Sequence, residues 1–209
     1  MSDRNEAITF AVIGIATKGD VTIHGISEHL ISSFLEHARK TGSIVEQKGD
    51  NSFRFAYNGK LLPVDVTTDT HPGFMTDWQP NWAVLMTAAN GDSVIHERMF
   101  ENRFAYVSEL IKLGAKIRFA DIPVDDPEHF YQFNYDPKKS YKQAIRISGG
   151  KKLHNGVLRI SDLRAGASLA IGALMAPGET VIHGASMLER GYENFAEKVR
   201  SLGGTIQQL

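Results

Sequence analysis

The chain has 209 residues, 42% hydrophobic and 22% charged, a composition that excludes disorder and permits one sizeable core or two small ones. A formal net charge of -1 argues against nucleic acid as the main partner, so an anionic ligand must be held by a local arginine cluster. Without cysteine there is no disulfide framework, thiolate metal site or cysteine nucleophile; no apolar run approaches the ~20 residues of a membrane span, and the start lacks a signal-peptide pattern, so the expected setting is cytoplasmic and away from membranes.

The first predicted element is a helix opening at Asp3, a good N-cap residue, and stopping at Gly19. A short β-branched strand ending on His24 follows, then an amphipathic helix closing on Gly42. Strands are predicted over Ser43–Gln47, Ser52–Tyr57 and Pro63–Thr68, with turn signals at Gly49-Asp50-Asn51 and Asn58-Gly59 between them. The same order then recurs. TDWQPNWAVLMTAANGDSVIHE starts at Thr76, and SDLRAGASLAIGALMAPGETVIHG starts at Ser161. From the early Asp to the Gly is 16 positions for Asp3 to Gly19, 14 for Asp77 to Gly91 and 16 for Asp162 to Gly178.

A repeat at this spacing makes three copies of one folding unit, over about 1–60, 61–154 and 155–209. The first helix of each copy is crowded with small residues, such as Ala165, Gly166, Ala167 and Ala170, and is expected in the interior. The second helix carries one apolar stripe: Phe104, Val107 and Ile111 in one copy, Tyr192, Phe195, Val199 and Leu202 in another. Lead-in strands are predicted over Leu62–Thr68 and Gly156–Ile160 for the second and third copies, and a single strand over Thr205–Leu209 for the last. The cycle is thus expected to be incomplete at both ends, leaving strand edges for a missing segment or for self-association. Phe119–Ile147 has no counterpart of similar length in the first copy and reads as an elongated hairpin or loop inserted in the second.

Asp77 follows the bent stretch HPGF and is either the N-cap of the second copy's helix or a carboxylate placed for base chemistry, with Phe74 and Trp78 flanking it against water. Arg103, Arg164 and Arg190 each stand near a predicted helix start, where the helix dipole disfavours a cation, so an anionic ligand held by paired guanidinium bonds would account for them. The plainer account is salt bridging to neighbours such as Glu101 and Glu189. His24, His96 and His183 have no carboxylate at ligand spacing and read as strand-end residues, so no metal site is expected. Gly149-Gly150-Lys151-Lys152 lacks the P-loop pattern and reads as a hairpin turn.

The motifs PGFMTDWQ, FENRF, DLRAGASL and ERGYEN, in this order, resemble the catalytic-domain motifs of the UDP-N-acetylglucosamine 1-carboxyvinyltransferases, a family of enolpyruvyl transferases. The resemblance covers nearly the whole chain apart from the insertion. It implies one α/β domain of the inside-out barrel type, with helices inside and sheets outside in three pseudo-symmetric repeats. It implies that Asp77 deprotonates the sugar 3-hydroxyl as that oxygen attacks phosphoenolpyruvate. Met99 would make a backbone contact to the sugar nucleotide, and Arg103, Arg164 and Arg190 would line the cleft, Arg190 nearest the phosphoenolpyruvate phosphate and carboxylate. No cofactor is implied. The family's other domain supplies a lysine-asparagine pair, further arginines and a mobile loop, none of which is matched here, so the chain alone is expected to be inactive. A non-catalytic sugar-nucleotide-binding or assembly domain that keeps the fold is the alternative.

Overall fold

The computed structural model describes residues 3–160 and 162–207, apart from the side chains of residues 163 and 164. Helix α1 (Arg4–Ala16) begins where Asp3 accepts hydrogen bonds from the Asn5 and Glu6 amides, at 2.7 and 3.4 Å. The predicted cap is therefore in place, satisfying amides that a helix start leaves without partners. Every residue from Ala7 to Ala16 is buried, so α1 has no solvent stripe. Helices α3 (Gln79–Ala88) and α6 (Leu163–Met175) are of the same kind, with Gln79–Thr87 buried in the first and Ala165, Ala167, Leu169, Ala170 and Ile171 in the second. These three helices pack against one another and form the interior that their small-residue content predicts. Each fully buried Ile or Leu, such as Ile8 or Leu85, contributes about 1.5–3 kcal/mol by leaving water.

Three sheets pack around this core. The first has the order β1-β3-β2, built from β1 (Asp20–His24), β2 (Ile44–Gln47) and β3 (Ser52–Ala56), all antiparallel. Helix α2 (Glu28–Lys40) links β1 to β2. The second has the order β4-β5-β7-β6, from β4 (Val66–Thr67), β5 (Asp92–His96), β6 (Lys116–Phe119) and β7 (Ala144–Ser148), with β4 parallel to β5 and helix α4 (Val107–Lys112) between β5 and β6. The pattern β1-β3-β2 therefore recurs as β5-β7-β6. The third sheet is the parallel pair β8 (Val157–Arg159) and β9 (Val181–His183), followed by helices α7 (Ser186–Glu189) and α8 (Phe195–Ser201). His24, His96 and His183 each end a strand, as expected, and they lie in three different sheets.

The structure corrects several local expectations. Ile111 is 47% exposed, because α4 starts only at Val107 and Phe104 lies in the turn before it; the buried stripe is Val107 and Leu110. Leu202 is likewise 47% exposed, one residue beyond α8. The lead-in strands are shorter than predicted. Pro63 has no amide to donate, and the Val64 amide turns to the Met86 sulfur at 3.4 Å instead of to a strand. Residues 205–207 form no strand, and the last two residues of that predicted segment lie outside the described residues.

Residues 120–143 join β6 to β7, at the place where the first sheet turns through 48–51. They contain the single-turn helix α5 (Pro127–Phe130) and an aromatic cluster in which Tyr131 stacks on Tyr135 at 5.4 Å and Phe133 meets Tyr141 at 5.2 Å.

The Gly149-Gly150 stretch is not a hairpin turn. It leads from β7 toward β8 and docks on the end of α3, with the Gly150 amide donating to the Thr87 carbonyl at 3.0 Å and the Gly149 amide to the Gly91 carbonyl at 2.9 Å. A Cβ at position 149 would stand 2.2 Å from the Ala89 carbonyl oxygen and 2.4 Å from that of Met86, so a side chain there must displace backbone. Gly149→Ala is expected to lower stability by about 1–3 kcal/mol, the usual cost of overpacking, as read from urea unfolding midpoints.

Candidate functional site

The chain reaches Asp77 through a loop tied by short-range bonds. The Asp69 amide donates to the Phe74 carbonyl at 2.7 Å, and the Gly73 amide to the Thr70 carbonyl at 2.6 Å. A Cβ on Gly73 would fall 2.5 Å from that of Asp69, so the bend requires glycine. Beneath the loop, Phe74 packs against Trp78 and Trp82 with ring centres 5.5 and 5.4 Å apart. Phe74 and Trp78 are thus core anchors below Asp77 and not a cover over it. The Trp78 indole donates to Asn5 Oδ1 at 3.0 Å, which sets the start of α3 beside the start of α1.

Asp77 is not an N-cap. It lies inside a 3-10 turn, Thr76–Trp78, and the cap position of α3 falls on Trp78, which makes no side-chain cap bond; Pro80 then occupies the helix start. The Asp77 carboxylate accepts from Arg103, whose Nη2 donates to Asp77 Oδ1 at 2.8 Å. Arg103 Nη1 donates to Thr76 Oγ1 at 2.9 Å, and its guanidinium lies 4.5 Å from the Phe100 ring centre. The Asp77 side chain is 30% exposed and that of Arg103 13%, so the pair is partly withdrawn from water.

Behind this pair sits Glu97, a fully buried carboxylate that sequence reasoning passed over. Its Oε1 accepts from Thr68 Oγ1 at 2.9 Å and from the amides of Met99 and Phe100 at 2.7 and 3.1 Å. Its Oε2 accepts from Thr76 Oγ1 at 2.7 Å and Gln79 Nε2 at 3.1 Å. One side chain therefore joins the strand before the loop, the turn bearing Asp77, the start of α3 and the segment leading to Arg103. Tyr106 extends the network by donating to Gln79 Oε1 at 2.7 Å, and burial, with Glu97 second, pushes its hydroxyl pKa well up. A signal was present in the repeat: the strand-end histidine is followed by Gly25 and Gly184 in two copies but by Glu97 in the third. Both glycines take positive φ, near 80°, whereas Glu97 does not.

The other site candidates fall as follows. Met99 belongs to the Glu97 unit through its amide. Arg190 is exposed at the C-terminal cap of α7, and Arg103 lies in the turn before α4; neither stands at a helix start, so the dipole conflict inferred from sequence is absent for both. Two residues beyond Arg190, the Tyr192 hydroxyl bonds Thr9 Oγ1 at 2.9 Å, and Asn81 Nδ2 donates to the same Thr9 oxygen at 2.8 Å. This ties the Arg190 segment to the end of the core where α1 and α3 begin. Arg164 lies in the first turn of α6, and its side chain is outside the described residues.

The segment between β6 and β7 braces the site. Gln143 donates to the Glu97 and Phe100 carbonyls at 2.8 and 3.0 Å and accepts from the Asn102 amide at 2.8 Å, while the Gln132 amide donates to the Arg98 carbonyl at 2.7 Å. His96 bonds the Tyr131 hydroxyl at 3.1 Å and packs 4.8 Å from the Phe130 ring; burial, then the charge of Arg98, lowers its pKa. Among the described residues no group of His, Asp and Glu could hold a metal ion, and no helix is long and apolar enough to cross a membrane.

Residues 1–199 match the family model described as EPSP synthase (3-phosphoshikimate 1-carboxyvinyltransferase). The UDP-N-acetylglucosamine 1-carboxyvinyltransferase of Solibacter usitatus is 36% identical over 209 residues, covering 100% of this chain and 45% of that protein. A UDP-N-acetylglucosamine 1-carboxyvinyltransferase of Carboxydothermus hydrogenoformans is 35% identical over 208 residues, again covering 45% of its length. The chain thus spans less than half the length of these relatives. Among solved structures, the enolpyruvyl transferase NikO from Streptomyces tendae superposes with a TM-score of 0.81 at 27% identity, over 99% of this chain and 44% of that one. EPSP synthase from Acinetobacter baumannii gives 0.73 at 16% identity, a likeness of fold alone, over 99% of this chain and 47% of that one.

Glu97→Ala leaves several buried donors without an acceptor and is expected to cost about 3–5 kcal/mol in chemical denaturation, with Glu97→Gln falling between it and the parent. Because the folded-state pKa of His96 is depressed, its contribution to stability is present above the unperturbed value of 6.5 and is lost as pH falls toward and through the folded value. The melting temperature should therefore drop between pH 7.5 and 5.5, and His96→Gln should flatten that part of the profile.

Proposed function

The chain belongs to the EPSP synthase (3-phosphoshikimate 1-carboxyvinyltransferase) family, and from that premise we propose that it is the base-bearing half of a transferase. The reaction moves the enolpyruvyl group of phosphoenolpyruvate to the 3-hydroxyl of UDP-N-acetylglucosamine and releases phosphate, a step of peptidoglycan precursor synthesis carried out in the cytoplasm. The observation that carries this reading is the Asp77–Arg103 pair, held on a 3-10 turn and only partly withdrawn from water. Asp77 takes the hydroxyl proton as the sugar oxygen bonds to C2 of phosphoenolpyruvate, whose C3 gains a proton from an acidic group of the missing half, the conjugate base of which takes it back in the elimination. Loss of a proton from C3 and of phosphate from C2 then restores the double bond. Arg103 orients Asp77, while Arg164 and Arg190 hold the anionic groups of phosphoenolpyruvate by paired guanidinium bonds. Since Glu97 occupies the Met99 amide, a backbone contact from Met99 to the sugar nucleotide comes from its carbonyl.

We read residues 1–60, 61–154 and 155–209 as copies of one unit in an inside-out arrangement, the segment 119–147 being inserted in the second. The repeated strand order and the mutual packing of α1, α3 and α6 support this. A second domain, or a second polypeptide seated over the open sheet edges, closes the cleft. The isolated chain is inactive, because a positioned base alone supplies only about 10²–10⁴ in rate and cannot replace an enclosing anion clamp.

The test is phosphate release from phosphoenolpyruvate and UDP-N-acetylglucosamine, with the chain alone and with a polypeptide corresponding to the rest of a relative's length. Turnover is expected only in the mixture, and Asp77→Asn should lower it about 10²–10⁴-fold with sugar-nucleotide binding retained. No rescue by the added half, together with tight sugar-nucleotide binding by the chain alone that Asp77→Asn leaves unchanged, would replace this reading by that of a binding domain.

A further inference from the structure

Strands β3 and β7 are the middle strands of the recurring orders β1-β3-β2 and β5-β7-β6, and the residues just before them, Asn51 and Gln143, hold the same place. The Asn51 carbonyl accepts from the Gly25 amide at 2.7 Å, and the Gln143 carbonyl from the Glu97 amide at 2.7 Å. Each side chain then reaches into the link that follows the strand-end histidine. In the first sheet that link is residues 25–27, and Asn51 Oδ1 accepts from Ser27 Oγ at 2.8 Å. In the second it is residues 97–106, which carry Met99 and Arg103, and the side chain facing it is a methylene longer. Gln143 is 5% exposed and uses both ends of its amide. Nε2 donates to the Glu97 and Phe100 carbonyls at 2.8 and 3.0 Å, and Oε1 accepts from the Asn102 amide at 2.8 Å. A flipped amide would set oxygen against two carbonyls, so the orientation has one solution. Asn102 takes a left-handed backbone, φ 51°, and is held a second time where the Lys142 amide donates to its Oδ1 at 2.7 Å.

These bonds engage the backbone of 97–100 almost completely. The amide of Glu97 goes to the Gln143 carbonyl, that of Arg98 to Thr68 Oγ1, and those of Met99 and Phe100 to Glu97 Oε1. The carbonyls of Glu97 and Phe100 accept from Gln143, and that of Arg98 from the Gln132 amide. Among the described residues nothing donates to the Met99 carbonyl. Its direction is nevertheless set. In a planar trans peptide the N–H and C=O point opposite ways, so with the Phe100 amide on Glu97 the Met99 carbonyl faces away from that carboxylate. The next peptide is fixed by Gln143 through the Phe100 carbonyl.

We propose that Gln143 is a positioning residue for sugar-nucleotide binding. By holding the Phe100 carbonyl and the Asn102 amide, it presents the Met99 carbonyl to an N–H or O–H of the sugar, already oriented and with its neighbours committed. Gln143 itself touches no substrate. Arg103 keeps its own hold on Thr76 and Asp77, so the effect of Gln143 falls on sugar-nucleotide affinity and not on proton transfer. The inference rests on the reading of the chain as half of a transferase acting on UDP-N-acetylglucosamine, and it names a residue outside the motifs that carry the family resemblance.

The test compares the parent with Gln143→Met, which keeps the side-chain length and loses all three side-chain bonds, and with Gln143→Asn, which keeps an amide one methylene short. Each full chain is mixed with the polypeptide corresponding to the rest of a relative's length, and calorimetry with UDP-N-acetylglucosamine is run beside steady-state kinetics. Gln143→Met should weaken sugar-nucleotide binding and raise the sugar-nucleotide KM about 10-fold, with kcat and the KM for phosphoenolpyruvate within about 2-fold of the parent. Gln143→Asn should recover part of the loss. On the chain alone, amide exchange by NMR should quicken about 10-fold or more at Asn102 and stay slow at Met99 and Phe100, whose amides Glu97 holds. Unchanged sugar-nucleotide affinity in Gln143→Met, with the Asn102 amide released, overturns the proposal. So does a variant in which kcat and both KM values move together while the Met99 and Phe100 amides also open, since Gln143 would then serve folding only. Binding by the parent mixture that weakens in Gln143→Met, without any turnover, supports this role and counts against the proposed transfer reaction. A parent mixture that binds no sugar nucleotide overturns both.

Discussion

The candidate site depends on one buried carboxylate. Glu97 accepts five hydrogen bonds with its two oxygens, from two threonine hydroxyls, one glutamine amide and two backbone amides. Taking such a group out of water is costly unless every oxygen is engaged, so its partners are constrained to one geometry together. Those partners lie on the end of β4, the turn at Thr76, the start of α3 and the loop at Met99. The turn at Thr76 and the loop at Met99 are fixed relative to each other by this residue, and with them Asp77 and Arg103.

The helical core supplies the platform. Because α1, α3 and α6 are buried on nearly all sides, their relative positions are set by close packing of small residues, which leaves little freedom for sliding. Polar bonds at one end of that core, between Trp78 and Asn5 and among Thr9, Asn81 and Tyr192, then locate the ends of α1 and α3 relative to the segment that carries Arg190. Chemistry placed at the end of packed helices inherits their rigidity. A loop of the same sequence on an open surface would not hold Asp77 and Arg103 at 2.8 Å with only partial exposure.

The long segment between β6 and β7 supports the site. Its tyrosine and phenylalanine rings pack on one another, so it carries a small core of its own. At its end Gln143 holds the carbonyls of Glu97 and Phe100 and the amide of Asn102. The loop bearing Arg103 is therefore clamped by Glu97 on one side and by Gln143 on the other.

What could be read from the sequence were features set by neighbours a few residues apart: the Asp3 cap, the interior helices with their small residues, the strands ending on His24, His96 and His183, and a family resemblance carried by contiguous motifs. These follow from local hydrogen bonding and from hydrophobic period, which the order of residues encodes directly. The role of Glu97 was not legible, although its departure from glycine in the repeat marked the position, because its partners Thr68 and Thr76 stand 29 and 21 positions away. Of the two readings of Asp77, the cap fails because spacing cannot say that a 3-10 turn carries it ahead of the α3 cap position, where it pairs with Arg103. By itself the sequence determined the residue types at the ends of helices and strands; tertiary packing alone decided which of those residues meet, since a buried carboxylate is satisfied only by donors that folding brings to it from distant parts of the chain.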